Sequence, residues 1–326
     1  MPPRAPEFWQ RRGGWAALLA PLGWLYDAAG AARFALTKPY RANVPVICVG
    51  NLGSGGSGKT PIVISLARRF TARGIEVHLL SRGYGGSLKG PIRVDPARHS
   101  AAEVGDEPLL LAATAPCWVA RDRAAGARAA EAAGAELILI DDGLQNPGLA
   151  KDLSLIAIDG GYGFGNGAVM PAGPLRESLA RGLAHTDAAI ILGSDETGVA
   201  ASLAGKPVLL ARPRVLGPAL KSRTVVAFAG IGRPEKFFRN VEATGANLAA
   251  SHAFPDHHAY SEAELQRLLA EARAVSAVLL TTDKDRVRLN PAWRARVEAL
   301  PIDIAWDDEA ALDRLLAPVL RAVRHG

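Results

Sequence analysis

Gly53 to Thr60 read GSGGSGKT and fill every fixed position of the phosphate-binding pattern GxxxxGK[ST]. Gly53, Gly55, Gly56 and Gly58, with Ser54 and Ser57 between them, let successive backbone N–H groups converge on an anion without side-chain clashes. The helix that must follow turns its partly positive end towards the same anion. Lys59 would then reach the β- and γ-phosphates of a nucleotide, and the Thr60 hydroxyl would bind magnesium, so ATP and Mg2+ are the expected cofactors. A carboxylate at the end of a neighbouring strand has to help hold that metal. Glu136–Gly143, ELILIDDG, offers Asp141 and Asp142 after four apolar residues. Asp159, after LSLIAI, is the rival, and a solvated Asp–Gly turn is the plain alternative for the pair.

Other residues carry chemistry less sharply. Asp106 and Glu107 stand just before an apolar helical run, where an acid caps the helix and complements its dipole. The same carboxylate could instead take the proton of an acceptor hydroxyl during phosphoryl transfer. His257 and His258 are adjacent, so they point apart and make a poor two-ligand metal site. One of them could orient a base while the other caps a helix or meets solvent. Arg176 is either a surface charge or a phosphate partner. Lys284 and Asp285 are expected to pair with each other beneath a strand end. A guanine reader would carry N-K-x-D, but Thr282–Asp285 reads TDKD with nothing between Lys and Asp, so guanine specificity has no support.

Positioning these groups requires alternating strands and helices. Short apolar runs at Val44–Val49, Glu76–Leu80, Leu137–Ile140, Ser154–Ile158, Ala188–Leu192 and Pro207–Leu210 alternate with helical patterns such as Arg121–Ala133. Most of the runs lack period-two alternation, which predicts a parallel sheet covered on both faces. A second set, Thr224–Ala229, Ala277–Thr281 and Ile302–Trp306, is spaced by helices at Glu235–Thr244 and Ser261–Ala274. The Pro/Gly-bearing stretch Arg212–Pro218 marks the boundary. The expected fold class is α/β: a P-loop NTPase-type, mostly parallel sheet flanked by helices, followed by a second, smaller α/β domain. Residues 1–42 form an N-terminal segment, 43–215 the larger domain and 216–326 the smaller.

The composition fits this layout. The chain has 326 residues, 49% hydrophobic and 21% charged, enough for two cored domains. Cys48 and Cys117 are the only cysteines, each inside an apolar run, which excludes a disulfide framework and suits a reducing compartment. The formal charge is +6, with no basic run of the kind that binds nucleic acid. Much of the excess lies near the start, where Arg4, Arg11, Arg12, Arg33, Lys38 and Arg41 face only Glu7 and Asp27. Trp15–Tyr26 reads three ways: a signal-like apolar stretch, a helix packed on the domain behind it, or an amphipathic helix in a membrane interface. The third puts Trp15, Leu18, Leu19, Leu22 and Tyr26 on one face, and Pro21 and Asp27 argue against a spanning helix.

VGNLGSGGSGKTP, LSRGYGG, VGDEPLLLA, DDGLQ, PAGPLRE, FAGIGRPEKFF, FPDHHAY and TTDKD follow one another in that order. In this the chain resembles the tetraacyldisaccharide 4'-kinase family over about Trp15 to Trp306. The resemblance implies transfer of the ATP γ-phosphoryl group to the 4'-hydroxyl of an acylated glucosamine disaccharide in lipid A synthesis. It implies an enzyme peripheral to the cytoplasmic face of the inner membrane, working on a lipid substrate; a monomer is expected. By the same resemblance Asp106 is the general base beside Glu107, His257 its partner from the second domain, Asp141 and Asp142 the metal acids, and Gln145 a polar residue near the nucleotide. Arg82, Tyr84, Arg121 and Arg176 fall in motifs that face the substrate or its phosphates. Leu144 replaces the usual Phe of DDGFQ, a packing change, and Asn146 replaces a more common basic residue, which leaves the role of that position open. A guanine-nucleotide switch without a sugar acceptor, and a soluble enzyme acting on a small carboxylic acid, are the alternatives.

Overall fold

The computed structural model describes residues 6–11, 13–54, 56–216 and 220–325; Arg4, Arg12, Gly55 and Pro218, named above, lie outside the described residues. The chain begins with α1 (Gly14–Leu36), β1 (Val46–Gly50), α2 (Lys59–Thr71), β2 (Val77–Ser81), β3 (Ile92–Arg93), α3 (Ala101–Val104) and α4 (Asp106–Ala112). It continues with β4 (Cys117–Val119), α5 (Arg123–Ala132), β5 (Leu137–Asp141), β6 (Leu153–Asp159), α6 (Leu179–Ala184), β7 (Ala188–Leu192) and β8 (Val208–Val215). Then come β9 (Thr224–Ala229), α7 (Pro234–Ala243), β10 (Asn247–Ala253), α8 (Glu262–Ala274), β11 (Val278–Thr282), α9 (Asp283–Arg286), α10 (Pro291–Arg294), β12 (Glu298–Leu300), β13 (Ile302–Trp306) and α11 (Glu309–His325).

β1, β2, β5, β6 and β7 are buried at every position, as continuous aliphatic runs require when helices cover both sheet faces. They lie in a nine-stranded sheet of order β13-β8-β7-β6-β1-β5-β2-β4-β3. All its pairings are parallel except those of the edge strands β13 and β3. β1 runs in the middle, between β5 and β6, so the loop after it opens where flanking strand ends converge. β9 to β12 form a second, four-stranded parallel sheet of order β10-β9-β11-β12.

Two expectations need correction. Ile302–Trp306, expected in the smaller unit, returns to the large sheet as β13 and pairs antiparallel with β8. Its Trp306 indole donates to Ser65 Oγ on α2 at 3.1 Å, and α11 places Leu312 and Leu316 in the large core. Of Arg212–Pro218, expected as the boundary, 212–215 are the end of β8, so the strand runs up to the division expected after 215.

α1 presents its small residues to the body and its large ones outwards. Ala16 and Gly23 are buried, and a Cβ on Gly23 would stand 2.8 Å from the Val169 carbonyl oxygen. Asp27 anchors the helix: Oδ1 accepts the Ser178 N–H at 2.9 Å and pairs with Arg181 at 3.0 Å. Trp15, Leu18, Leu22 and Tyr26 are exposed as the helical spacing predicts, joined by Trp24 and Leu25, whereas Leu19 is half-buried. No helix among the described residues is long and apolar enough to cross a membrane.

Candidate active site

The phosphate loop leads straight into α2, whose first residue is Lys59. Gly58 caps this helix at φ +77°, and a Cβ there would run into Leu192 Cδ1, so both backbone and space demand glycine. Lys59 Nζ donates to Asn51 Oδ1 at 3.3 Å and lies 3.9 Å from Asp142 Oδ2. Thr60 Oγ1 donates to Asp141 Oδ2 at 3.0 Å. β5 pairs with β1 in register Val49↔Asp141, and this pairing delivers the acid to the loop. The second oxygen, Asp141 Oδ1, is buried with no hydrogen-bond partner among the described residues. Burial first, then the nearby Glu107 charge, raises the Asp141 carboxyl above its ordinary range, while Lys59 and Thr60 pull the other way.

An unpaired buried carboxylate oxygen beside a threonine hydroxyl suits a divalent cation. The described residues hold no group of three or more His, Cys, Asp or Glu side chains poised on one ion. A cation here would complete its shell with phosphate oxygens and water. Asp142 sits at φ +57° and accepts from Arg176 Nη1 at 2.8 and 3.0 Å. Burial would raise its carboxyl, but Lys59 and Arg176 outweigh that and hold it below its ordinary value. Arg176 is thus tied to the acidic pair and is no free surface charge. Gln145 Nε2 donates to the Asn51 carbonyl at 3.0 Å and to Glu177 Oε1 at 2.8 Å, bracing the strand that enters the loop. Leu144, fully buried, packs where Gly50 leaves room, and Asn146 Oδ1 accepts the Gly148 N–H at 2.9 Å within its own turn.

A second group of residues meets across the two units. Asp106 opens α4 and is 5% exposed. His257 Nδ1 is 3.0 Å from Asp106 Oδ2. His257 lies on the loop after β10, at φ +58°, its N–H donating to the Gly230 carbonyl at 3.1 Å. Lys284 Nζ stands 3.5 Å from His257 Nε2 and can only donate. In the tautomer with its hydrogen on Nδ1 the ring donates to the acid and offers Nε2 as an acceptor. Burial alone would raise the Asp106 carboxyl, yet it is held well below the usual carboxylate range. The His257 hydrogen bond and the charges of Lys284 and Arg288 outweigh the burial.

Lys284 does not pair with Asp285 as expected. It reaches Glu107 Oε1 at 3.3 Å, while Asp285 Oδ1 accepts from Arg288 Nη1 at 2.7 Å. His258 turns away from the site: Nε2 pairs with Glu264 at 3.1 Å and its ring stacks on Phe254 at 4.8 Å. Tyr84 is exposed with its ring 5.9 Å from that of His257, and Arg82 is exposed on the same loop. Arg121 is exposed beyond β4, its Nη2 3.5 Å from the Gly86 carbonyl. Of these three, Tyr84 stands open beside the Asp106–His257 pair.

Asp159, the rival metal acid, is committed elsewhere. It accepts from Arg233 Nη1 at 2.8 Å and Lys236 Nζ at 2.6 Å, both from the start of α7 and the residue before it. Arg233 also lies over the Tyr162 ring at 4.6 Å. A hollow of about 320 Å³ adjoins this cluster, lined by Gly161, Leu192, Ser194, Arg233, Lys236 and their neighbours. It borders the phosphate loop, since Leu192 touches Gly58 and Gly232 approaches Gly56 N. A larger hollow of about 580 Å³, between 93–96 and 112–116, lies at the other end of β4 from these groups. Arg233 and Lys236 fall in the motif FAGIGRPEKFF, but spacing alone could not say which acid they meet.

Residues 15–321 match the family described as Tetraacyldisaccharide-1-P 4'-kinase. A tetraacyldisaccharide 4'-kinase of Rhodospirillum centenum is 56% identical over 327 residues, covering 97% of each chain. One from Gluconacetobacter diazotrophicus is 56% identical over 317 residues, covering 96% of this chain and 97% of its own. Among solved structures, LpxK from Aquifex aeolicus in complex with ATP superposes with a TM-score of 0.76 at 28% identity, over 93% of this chain and 99% of that one. These likenesses favour a sugar-lipid kinase and set aside the guanine-nucleotide switch.

Proposed function

The chain belongs to the tetraacyldisaccharide-1-P 4'-kinase family, and from that premise we propose how its own residues carry out the transfer of phosphate from ATP to the disaccharide 4'-hydroxyl. The observation that carries this reading is the Asp106–His257 contact at 3.0 Å, made between the larger unit and the smaller one beside the phosphate loop. The backbone of 53, 54 and 56–58 and Lys59 would cradle the β- and γ-phosphates, with the start of α2 directed at them. Thr60 and Asp141 would hold magnesium, with Asp142 behind them; when bound, the ion neutralises charge developing on the phosphates. Arg176 and Gln145 keep the acidic pair in place from behind. The base and ribose would enter the hollow beside Leu192 and Ser194, with Arg233 and Lys236 closing it from α7.

The Asp106–His257 pair accepts the proton of the acceptor hydroxyl, and Glu107 holds Lys284 beside it. Arg82, Tyr84 and Arg121 line the approach, where a sugar ring and an anionic group of the substrate would dock. One chain supplies both halves of the pair, so the proposed working unit is a monomer. The outward face of α1 would lie in the cytoplasmic surface of the inner membrane. Arg11, Arg33 and Lys38 are exposed near it for lipid headgroups, and the acyl chains of the substrate could stay in the bilayer.

The test is direct. Purified protein given the acylated disaccharide monophosphate, ATP and magnesium should yield the bisphosphate, and Lys59→Ala should not. Product no greater than that control would end this reading.

A further inference from the structure

Arg288 occupies a position that none of the sequence motifs singled out. It follows α9, where its N–H donates to the Asp285 carbonyl at 3.1 Å, and its side chain is only 6% exposed. Nη1 donates to the Gly230 carbonyl at 2.8 Å and to Asp285 Oδ1 at 2.7 Å. Asp285 is fully buried and is itself fixed: Tyr260 Oη donates to Oδ1 at 2.8 Å, Gly230 N to Oδ1 at 3.0 Å and Thr282 Oγ1 to Oδ2 at 2.6 Å. The other edge of the guanidinium leaves the smaller unit. Nε and Nη2 donate to Asp106 Oδ2 at 2.9 and 2.5 Å. That oxygen therefore receives three donors, two from Arg288 and one from His257, while Oδ1 accepts the N–H of Glu107 at 3.0 Å.

We propose that Arg288 is a positioning residue for phosphoryl transfer: braced on Asp285 and Gly230, it grips the Asp106 carboxylate across the two units and sets both its orientation towards His257 and its readiness to accept a proton. A lysine could not do the same, because only the planar guanidinium offers Nε and Nη2 to one partner and Nη1 to another. The charged and titratable groups around Asp106 come from every packed element. Glu107 comes from α4, Asp256 and His257 from the loop after β10, Lys284 and Asp285 from α9, and Arg288 from the turn beyond it. Lys284 lies near the acid but donates to Glu107, so Arg288 is the cation in direct contact with Asp106. Withdrawing it removes the strongest geometric restraint on the carboxylate and lets its proton affinity rise.

The inference rests on the kinase reading above, and the two fail differently. If that reading is wrong, the wild-type protein makes no bisphosphate. If only this inference is wrong, the wild type turns over and Arg288 is dispensable. The experiment measures kcat, KM for ATP and the pH profile of kcat for Arg288→Met and Arg288→Lys, with thermal melting of each. Arg288→Met should lose about a hundredfold in kcat, on the scale of a preorganised donor removed, with KM for ATP within about threefold of the wild type. Its acidic limb should move to higher pH, because Asp106 then takes up a proton more readily as pH falls. Arg288→Lys keeps the charge and loses the fork, so kcat should recover to about tenfold below the wild type and the limb should return most of the way. A purely structural latch would lower the melting temperature and leave kcat and the limb unmoved in folded protein, which overturns the inference. Should Arg288→Met not fold, Arg288→Lys decides alone: wild-type kcat overturns the inference, and the tenfold loss at unchanged KM for ATP supports it.

Discussion

Thr60 and Asp141 are joined by a 3.0 Å hydrogen bond between the first turn of α2 and the last residue of β5. The same Asp141 keeps its other oxygen buried and without a partner among the described residues. The hydroxyl therefore orients a carboxylate whose Oδ1 meets no hydrogen-bond donor among the described residues. Thr60→Ala should lower kcat about a hundredfold or more, since a prepositioned ligand is lost at the reacting phosphates. Thr60→Ser should keep most of the rate. Magnesium titrations of initial rate check this, with the concentration for half-maximal rate rising in the alanine variant alone.

Much of this arrangement could be read from the linear pattern, and the reason is physical. β1, β5 and β7 are unbroken aliphatic runs, and the glycine loop and acidic pair sit at strand ends, where backbone geometry dictates the residue types. The strands that escaped are those with little side-chain signal. β4 and β12 have three residues each, and β10, NLAASHA, alternates small residues on an edge strand. β13 was legible as a strand but not as a member of the large sheet, because partner choice is a property of the folded chain. Arg288 was missed for the same reason: in DKDRVRL it looks like one more surface charge, and its burial exists only where the two units meet.

Glu177 shows no exposed surface, yet Gln145, Arg181 and His185 surround it. Burial would raise its carboxyl, but the His185 ring 3.4 Å away and the Gln145 hydrogen bond come next in strength and, with Arg181, hold it below the ordinary value of 4.5. A depressed carboxylate adds stability that is present above the ordinary value and is lost as pH falls through the lower, folded one. Glu177→Gln should therefore cost on the order of 1–3 kcal/mol at neutral pH. It should also lose less further stability than the wild type when acidified below about pH 4.5. Urea unfolding at several pH values reads both effects, and parallel curves for the two proteins would refute the assignment.

The outward face of α1 should govern lipid binding and leave the chemistry alone. Leu18, Leu22 and Leu25 are exposed on the outward face of the helix. Burying each leucine is worth about 1.5–3 kcal/mol, so changing all three to Gln should weaken binding to anionic phospholipid vesicles by more than about a hundredfold. Turnover of substrate dispersed in detergent should stay within about threefold of the wild type, because kcat depends on groups beyond α1. Vesicle flotation and a detergent assay separate the two effects. Undiminished flotation would place the membrane contact elsewhere.

Asp141 and Asp159 end neighbouring strands on opposite sides of β1, and their surroundings assign them different work. Asp141 faces Thr60 and keeps an unpaired oxygen, whereas Asp159 is consumed by Arg233 and Lys236 from the smaller unit. Asp141→Asn should remove charge where a cation would be held, cutting kcat about a hundredfold or more and raising the magnesium requirement. Asp159→Asn should leave the magnesium requirement unchanged. Its cost should fall on how the units are held together, because two cations lose their shared acid in a partly buried setting. The expected loss is about 1–3 kcal/mol of stability with kcat within about threefold. Magnesium titrations and thermal melts of the two variants decide it. A tenfold rise in magnesium requirement for Asp159→Asn, with none for Asp141→Asn, would reverse the roles.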